Sequence, residues 1–228
     1  MEKKLNSNYE NLIKLYLRLK GYLTSNLILH SEIKGFSASE LDIIGIRMPL
    51  HNQDFRKVQI EDYMESSNDS IEILIADVKN VNSLFRAKFN DGLSNNLESI
   101  KQLIGWIGVF NNENKSLIDK FKYFLNLSIN DLNGFATFQE VTDFGKFTFK
   151  FTIFCPNLNK WDGNGFKYIH GEEIMDFIWE CLNKQTEIES CSRSYNYENW
   201  NEFEEYIRFF KNSIQKPTIK DFEKEFNK

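Results

Sequence analysis

The sequence is poor in the residues that build disulfides and zinc sites. It contains only 3 cysteines in 228 residues, none of them in a C-x-x-C pair: Cys155, Cys181 and Cys191. An odd cysteine count without such pairs is typical of reduced thiols in a cytosolic protein. The 3 histidines show no metal-ligand spacing either. These patterns argue against a structural zinc site.

Long apolar runs are also missing. The stretch Met1–Ser7 lacks the apolar core of a signal peptide, and no run of 18 apolar residues occurs in the chain. We therefore expect a soluble, cytoplasmic protein without a membrane partner.

The chain has no excess of positive charge. Its 28 Lys and Arg residues face 33 Asp and Glu residues, which gives a net charge of −5. A broadly basic nucleic-acid-binding protein is excluded by this balance. Any nucleic-acid contact must come from a local basic patch, because the rest of the surface repels phosphate.

What the chain does have is enough apolar material for a sizeable core. Hydrophobic residues make up 41% of it and aromatic residues 15%, with 21 phenylalanines. These are values of a globular protein. We expect a main domain over residues 1–185 and a C-terminal helical extension over residues 186–228.

Two short segments carry the most informative charged residues. Ser39–Arg47 and Ile71–Asn80 are rich in β-branched apolar residues and bounded by polar ones, which predicts two strands. Side chains alternate along a strand, so Asp77 and Lys79 share one face. Such residues are seldom buried in a strand unless they are paired or bind a metal. Asp42 on the neighbouring strand supplies a second carboxylate, and two carboxylates can hold one Mg²⁺ ion beside the ammonium.

In this order, Asp42, Asp77 and Lys79 resemble the core of the PD-(D/E)XK nuclease superfamily, which includes many restriction endonucleases and Holliday-junction resolvases. Glu10 lies in a predicted helix, eleven residues before the pair Gly21-Tyr22. A helical glutamate at a similar distance is typical of the resolvase-like and Mrr-like branch. The proline that often precedes the first aspartate is absent, and an aspartate replaces the commoner glutamate two residues before the lysine.

The resemblance implies a fold, a cofactor and an activity. The fold is α/β, with a restriction-endonuclease-like αβββαβ core in which helices flank a mixed sheet. The cofactor is Mg²⁺ or Mn²⁺, held by Asp42, Asp77 and the Val78 carbonyl. Lys79 then orients or deprotonates the attacking water, and Glu10 binds a second ion or positions water. The activity is phosphodiester hydrolysis on DNA, in bacterial or phage defence or in repair.

Two further residues are secondary candidates for this site. Glu40 lies two residues before Asp42, so strict alternation gives them a common face. Gln102 and Trp106, four apart on a predicted helix, match a spacing found near the active site in some members of the superfamily. Ordinary packing with one exposed Gln explains that helix equally well. For Glu10, the alternative is an exposed residue paired with Lys14.

Three basic residues are candidates for contacts with nucleic acid: Lys34, Arg86 and Lys88. Plain solvated loops are the alternative at these positions. The alternative for the whole protein is a catalytically inactive nuclease fold that serves as a nucleic-acid-binding or scaffold subunit.

The second half of the chain carries clear structural patterns. Phe135–Val141 and Phe147–Phe154 predict a β-hairpin, and alternation in its second strand predicts a half-buried strand. A helix is predicted from Gly171. The amphipathic stretch Trp200–Ile214 predicts a helix that packs on the main domain or forms an interface with a second copy or a partner protein.

Overall fold

Helices and strands follow one another along the chain. The computed structural model describes residues 2–30, 37–51, 58–60, 62–65, 67–127, 134–163, 165–182 and 201–226. The helices are α1 (Glu2–Leu19), α2 (Asp91–Ser94), α3 (Leu97–Ile107), α4 (Lys115–Leu125), α5 (Gly171–Leu182), α6 (Glu204–Asn212) and α7 (Ile219–Phe226). The strands are β1 (Leu23–His30), β2 (Ser37–Arg47), β3 (Ile71–Val78), β4 (Ala136–Thr142), β5 (Gly145–Cys155) and β6 (Ile169–His170).

Within the described residues, these six strands form one mixed sheet in the order β1-β2-β3-β5-β4, and β6 pairs with the end of β5. Strands β1, β2 and β3 are an antiparallel meander. Strand β5 runs parallel to β3, and β4 and β5 form the hairpin predicted from the sequence. A parallel pair needs a long crossover connection, and α2, α3 and α4 lie within it. The predicted α/β class, a mixed sheet flanked by helices, is confirmed.

The sheet separates two apolar cores. Helices α1, α5, α6 and α7 cover one face, where they pack on Ile43, Leu74 and Phe154. Helices α2, α3 and α4 cover the other face, where Ile73 and Ile75 meet the phenylalanines of β5. No helix of the described residues is long and apolar enough to cross a membrane.

Strand β5 is buried on both faces, so the prediction of a half-buried strand was wrong. Thr148, Lys150 and Thr152 retain only 8%, 7% and 1% of their exposure. The strand lies between β3 and β4, and the Lys150 ammonium on its polar face donates a hydrogen bond to the carbonyl of Tyr63 at 2.7 Å. Alternation in β5 therefore separates an apolar face from a buried polar face.

The turn after α1 depends on a glycine. Gly21 has a φ of +89°, a left-handed conformation that side chains rarely adopt. A Cβ at this position would lie 2.0 Å from Nε2 of His51. Tyr22 then points into the protein and donates a hydrogen bond from its hydroxyl to Glu72 at 2.7 Å.

The C-terminal apolar stripe packs on its own chain. Phe203, Ile207 and Phe210 are 2%, 1% and 0% exposed and belong to the core formed by α1 and α5. Ile214 is 88% exposed, and Trp200 lies outside the described residues. The burial of these three side chains supports packing of the helix on the main domain and gives no support to a dimer.

Candidate active site

Asp42 and Asp77 lie side by side on neighbouring strands. Strands β2 and β3 are paired up to Ile43 and Ala76, the residues next to the two aspartates. Oδ2 of Asp42 accepts a hydrogen bond from the Val78 backbone N–H at 2.7 Å. The two carboxyl groups also approach each other within hydrogen-bonding range. The structure thus brings together the two acids that the sequence identified.

A β-bulge in β2 sets the position of Asp42. Pairing with β1 moves from Ile44 opposite Ser25 to Leu41 opposite Leu27, so β2 has one residue more than β1 over this interval. Leu41 and Ile43 consequently pack into opposite cores, although strict alternation would place them on one face. Bulges of this kind redirect side chains at functional sites. Alternation alone therefore could not place Asp42 or relate it to Glu40.

Lys79 completes the cluster from the end of β3. Its Nζ atom lies 2.7 Å from Oδ2 of Asp77, and the side chains of these residues are 22% and 2% exposed. The same Oδ2 accepts a hydrogen bond from the backbone N–H of Asn90 at 2.8 Å. Asn90 also caps α2 by accepting a hydrogen bond from Gly92. The sequence analysis missed Asn90, although Asn-Asp-Gly before a helix is a capping pattern that could have revealed it.

Burial and crowding change the acidity of Asp42. The pKa of its carboxyl group rises from 3.8 to about 7, first because burial removes water and then because Asp77 bonds to it and repels its charge. The Val78 N–H and the Lys79 ammonium act in the opposite direction without reversing the shift. Among the described residues, the two carboxyl groups have one ammonium beside them, so this site is short of positive charge.

Glu10 faces this pair from α1. Burial raises the pKa of Glu10, and the negative charge of Asp42 raises it further. Its Oε2 atom accepts a hydrogen bond from the Asn26 amide at 3.1 Å. Lys14 bonds to the oxygen of the same amide, so Asn26 stands between Glu10 and the lysine that was its alternative partner. Glu10 therefore lies close enough to Asp42 to affect its charge, and no short contact joins the two.

The secondary candidates are placed differently. Glu40 is exposed, and its charge raises the pKa of Glu10, which puts it on the α1 side of the pair. Gln102 donates a hydrogen bond to the backbone carbonyl of His30 at 2.9 Å, so it ties α3 to the end of β1. This hydrogen bond does not involve the acid pair.

The basic candidates lie mostly on the segment that follows β3. Arg86 and Lys88 are exposed there, and Lys88 forms an ion pair with Asp91 at 2.8 Å. Lys34 lies outside the described residues. Arg86 and Lys88 are thus exposed on the segment that follows the strand carrying Asp77, with Lys88 paired to Asp91.

The oxygen donors of the pair fit a hard divalent cation. Mg²⁺ prefers carboxylate oxygens and commonly binds through one or two carboxylates, with water and substrate phosphate as its other ligands. Across the described ranges, no group of three or more His, Cys, Asp or Glu side chains is arranged to hold a metal. A cation at this site would therefore rely on Asp42, Asp77, the Val78 carbonyl and bound water.

Comparisons of the chain with protein-family models, with curated proteins and with solved structures give no match.

Proposed function

We propose that the protein is a metal-dependent nuclease that hydrolyses phosphodiester bonds, with DNA as its main substrate. One observation carries this proposal: the half-buried carboxylate of Asp42 lies beside the buried carboxylate of Asp77, and in the described part of the chain the ammonium next to them is that of Lys79. A divalent cation would balance the charge of both carboxylates. Burial, together with the neighbouring Asp77, raises the pKa of Asp42.

The order of the elements supports the same proposal. Helix α1, with Glu10, precedes the meander β1-β2-β3, and helices then lead to β5, which runs parallel to β3. This order corresponds to the αβββαβ core of the PD-(D/E)XK superfamily, with β4 and β6 as additions at the edge. Likeness of fold is an analogy, so the chemistry rests on the side chains.

Each residue has a distinct task in this proposal. A bound Mg²⁺ or Mn²⁺ supplies positive charge for the phosphate and acidifies a bound water. Asp42, Asp77 and the Val78 carbonyl would hold that ion. Lys79 orients the attacking water and places positive charge beside the phosphate. Glu10, with its raised pKa, holds or accepts a proton at the edge of the site.

A nuclease assay tests the proposal. The full chain is incubated with circular DNA, linear DNA and RNA in Mg²⁺, in Mn²⁺ and in EDTA. Cleavage that needs a divalent ion supports the proposal. Binding of nucleic acid without cleavage under every condition would favour the inactive scaffold. If the protein neither binds nor cleaves nucleic acid, both the nuclease and the nucleic-acid-binding scaffold are rejected.

A further inference from the structure

A small cavity opens beyond the ends of β3 and β5. Its volume is about 370 Å³, and its walls come from the segments after β3 and after β5, with Asn82, Leu84, Asn159 and Trp161 among the lining residues. Cavities of about 300–1,000 Å³ are typical of sites for small ligands. Ligands of α/β proteins bind preferentially beyond the carboxyl ends of the strands, which is where this cavity lies.

The cavity and the acid pair belong to one connected structure. Asn82 follows Lys79 by three residues. The Lys79 backbone N–H donates to the Phe154 carbonyl at 2.8 Å, and the Asn157 amide donates to the Asn80 side chain at 2.7 Å. These bonds tie the segment after β3 to the segment after β5. Three residues of extended chain span at most about 11 Å, so the Asn82 wall of the cavity lies within about that distance of Lys79.

The chemistry of the lining selects a flat, uncharged ligand with hydrogen-bonding edges. Trp161 offers an aromatic ring, and the Asn82 side chain offers both a donor and an acceptor. The charges of Lys160 and Asp162 cancel, so the cavity does not favour an anion. Tyr168 bonds from its hydroxyl to the Asn159 carbonyl at 2.8 Å and thereby fixes the wall.

A nucleobase has these properties. We infer that the cavity takes one unpaired base of the strand whose phosphate lies at the acid pair, so that the substrate is single-stranded or contains an unpaired region. This inference rests on the proposed nuclease function. The exposed ring of Phe85, which retains 88% of its exposure, lies on the same segment beside Arg86 and offers a second surface for stacking.

Binding of labelled oligonucleotides tests the inference. Fluorescence anisotropy compares a single-stranded 12-mer with its blunt duplex in EDTA, and every protein carries Asp77→Asn so that cleavage and charge repulsion are reduced. The single strand should bind more tightly than the duplex. Trp161→Ala should weaken its binding about tenfold, since stacking on one aromatic ring contributes about 5- to 100-fold. Trp106→Ala is the matched control, because Trp106 is 62% exposed on α3 and does not line the cavity.

An oligonucleotide with abasic positions adds a second readout. An abasic position in place of the base that would enter the cavity should weaken binding to the parent protein. It should leave binding to the Trp161→Ala protein unchanged. If circular dichroism shows that Trp161→Ala does not fold, Asn82→Ala replaces it in the same comparison, because Asn82 is exposed. Equal affinities for single strand and duplex, or equal effects of Trp161→Ala and Trp106→Ala, would overturn the inference.

The outcomes also separate this inference from the nuclease proposal. If the wild-type protein does not cleave but binding depends on Trp161, only the catalytic proposal fails. If metal-dependent cleavage occurs and binding ignores Trp161, only the base-binding inference fails.

Discussion

Strands β2 and β3 carry two charged clusters, one at each end of their pairing. At one end Arg47 is paired with Glu72, and at the other the pairing ends beside Asp42 and Asp77. Both clusters contain buried charge, and both lie on the same two strands. They differ in whether the protein itself supplies enough charge of the opposite sign.

The Glu72 carboxylate has its opposite charge supplied within the protein. Its Oε2 atom lies 2.7 Å from the Arg47 guanidinium, 3.0 Å from the Lys150 ammonium and 2.7 Å from the Tyr22 hydroxyl. Burial alone would raise the pKa of Glu72, but Lys150, Arg47 and the Tyr22 hydroxyl together outweigh burial, so the net shift is downward. Such a cluster needs no ligand, and its role is structural.

The acid pair has the opposite balance. Asp77 has one ammonium, Lys79, while Asp42 is left with a raised pKa beside a second carboxylate. Perturbed carboxyl groups of this kind occur preferentially at functional sites. The two clusters therefore differ in the direction in which the pKa of the carboxyl group shifts, downward for Glu72 and upward for Asp42, and burial or charge alone does not distinguish them.

Loss of cleavage in Asp77→Asn is the largest expected effect. The change removes one ligand charge and little volume, and the amide oxygen can still accept the bond from Asn90. We expect cleavage to fall by about 100- to 1,000-fold, the scale for losing a group that stabilises charge in the transition state. Rates of DNA cleavage in Mg²⁺ measure it.

A matched acidic control is available on the surface. Asp69 is exposed and forms an ion pair with Lys146 at 2.7 Å, away from the acid pair. Asp69→Asn should cleave at the wild-type rate. Equal rates for Asp77→Asn and Asp69→Asn would place the active site elsewhere.

Glu72→Gln should instead destabilise the fold. The change leaves Arg47 and Lys150 buried without their carboxylate, and removing one partner of a buried ion pair typically costs about 3–5 kcal/mol. The already lowered pKa of Lys150 lets it lose a proton and recover part of that cost. Urea denaturation measures the difference, and an unchanged free energy of unfolding would contradict the structural role.

Asp42→Asn should change how stability depends on pH. The pKa of Asp42 is higher in the folded protein, about 7 against 3.8, so the folded state holds the proton more tightly. Stability without metal therefore falls as pH rises from about 4 to 7, and the asparagine variant lacks this fall. At pH 8 in EDTA we expect it to be more stable than the wild type by about 1–2 kcal/mol, because partial solvation reduces the full effect of the shift.

The same urea experiment at pH 4 provides the control. There Asp42 is protonated in the wild type, so the two proteins should have similar free energies of unfolding. If Asp42→Asn is less stable than the wild type at pH 8, the carboxyl groups of Asp42 and Asp77 do not repel each other in the folded protein.

Gln102→Ala should have the smallest effect. It removes one hydrogen bond to the His30 carbonyl, a loss of about 0.5–1.5 kcal/mol in stability. Cleavage should be little changed, since this hydrogen bond does not involve the acid pair. A loss of cleavage comparable with that of Asp77→Asn would place Gln102 in the active site after all.

Much of the fold was predictable from local patterns, because strands and helices follow the periodicity of apolar residues. The β4–β5 hairpin, the helix from Gly171 and the shared face of Asp77 and Lys79 all follow from such patterns. The position of Asp42 was not predictable from such patterns, since the bulge in β2 breaks the alternation on which the prediction relied.

Contacts between segments distant in the sequence were the main features that could not be predicted. Nothing in the local sequence pairs Glu72 with Lys150, which are 78 residues apart, so the buried polar face of β5 could not be foreseen. Asn26, which links Glu10 to Lys14, lies on a separate strand and gave no signal of its own.

Titration with Mn²⁺ tests most directly whether the acid pair is a metal site. Isothermal calorimetry on the full chain should show binding of the ion to the wild type, with protons released as Asp42 ionises. Asp77→Asn should lose this binding, while Asp69→Asn should keep it. Equal binding of Mn²⁺ by the wild type and Asp77→Asn would contradict the assignment of the acid pair as the metal site.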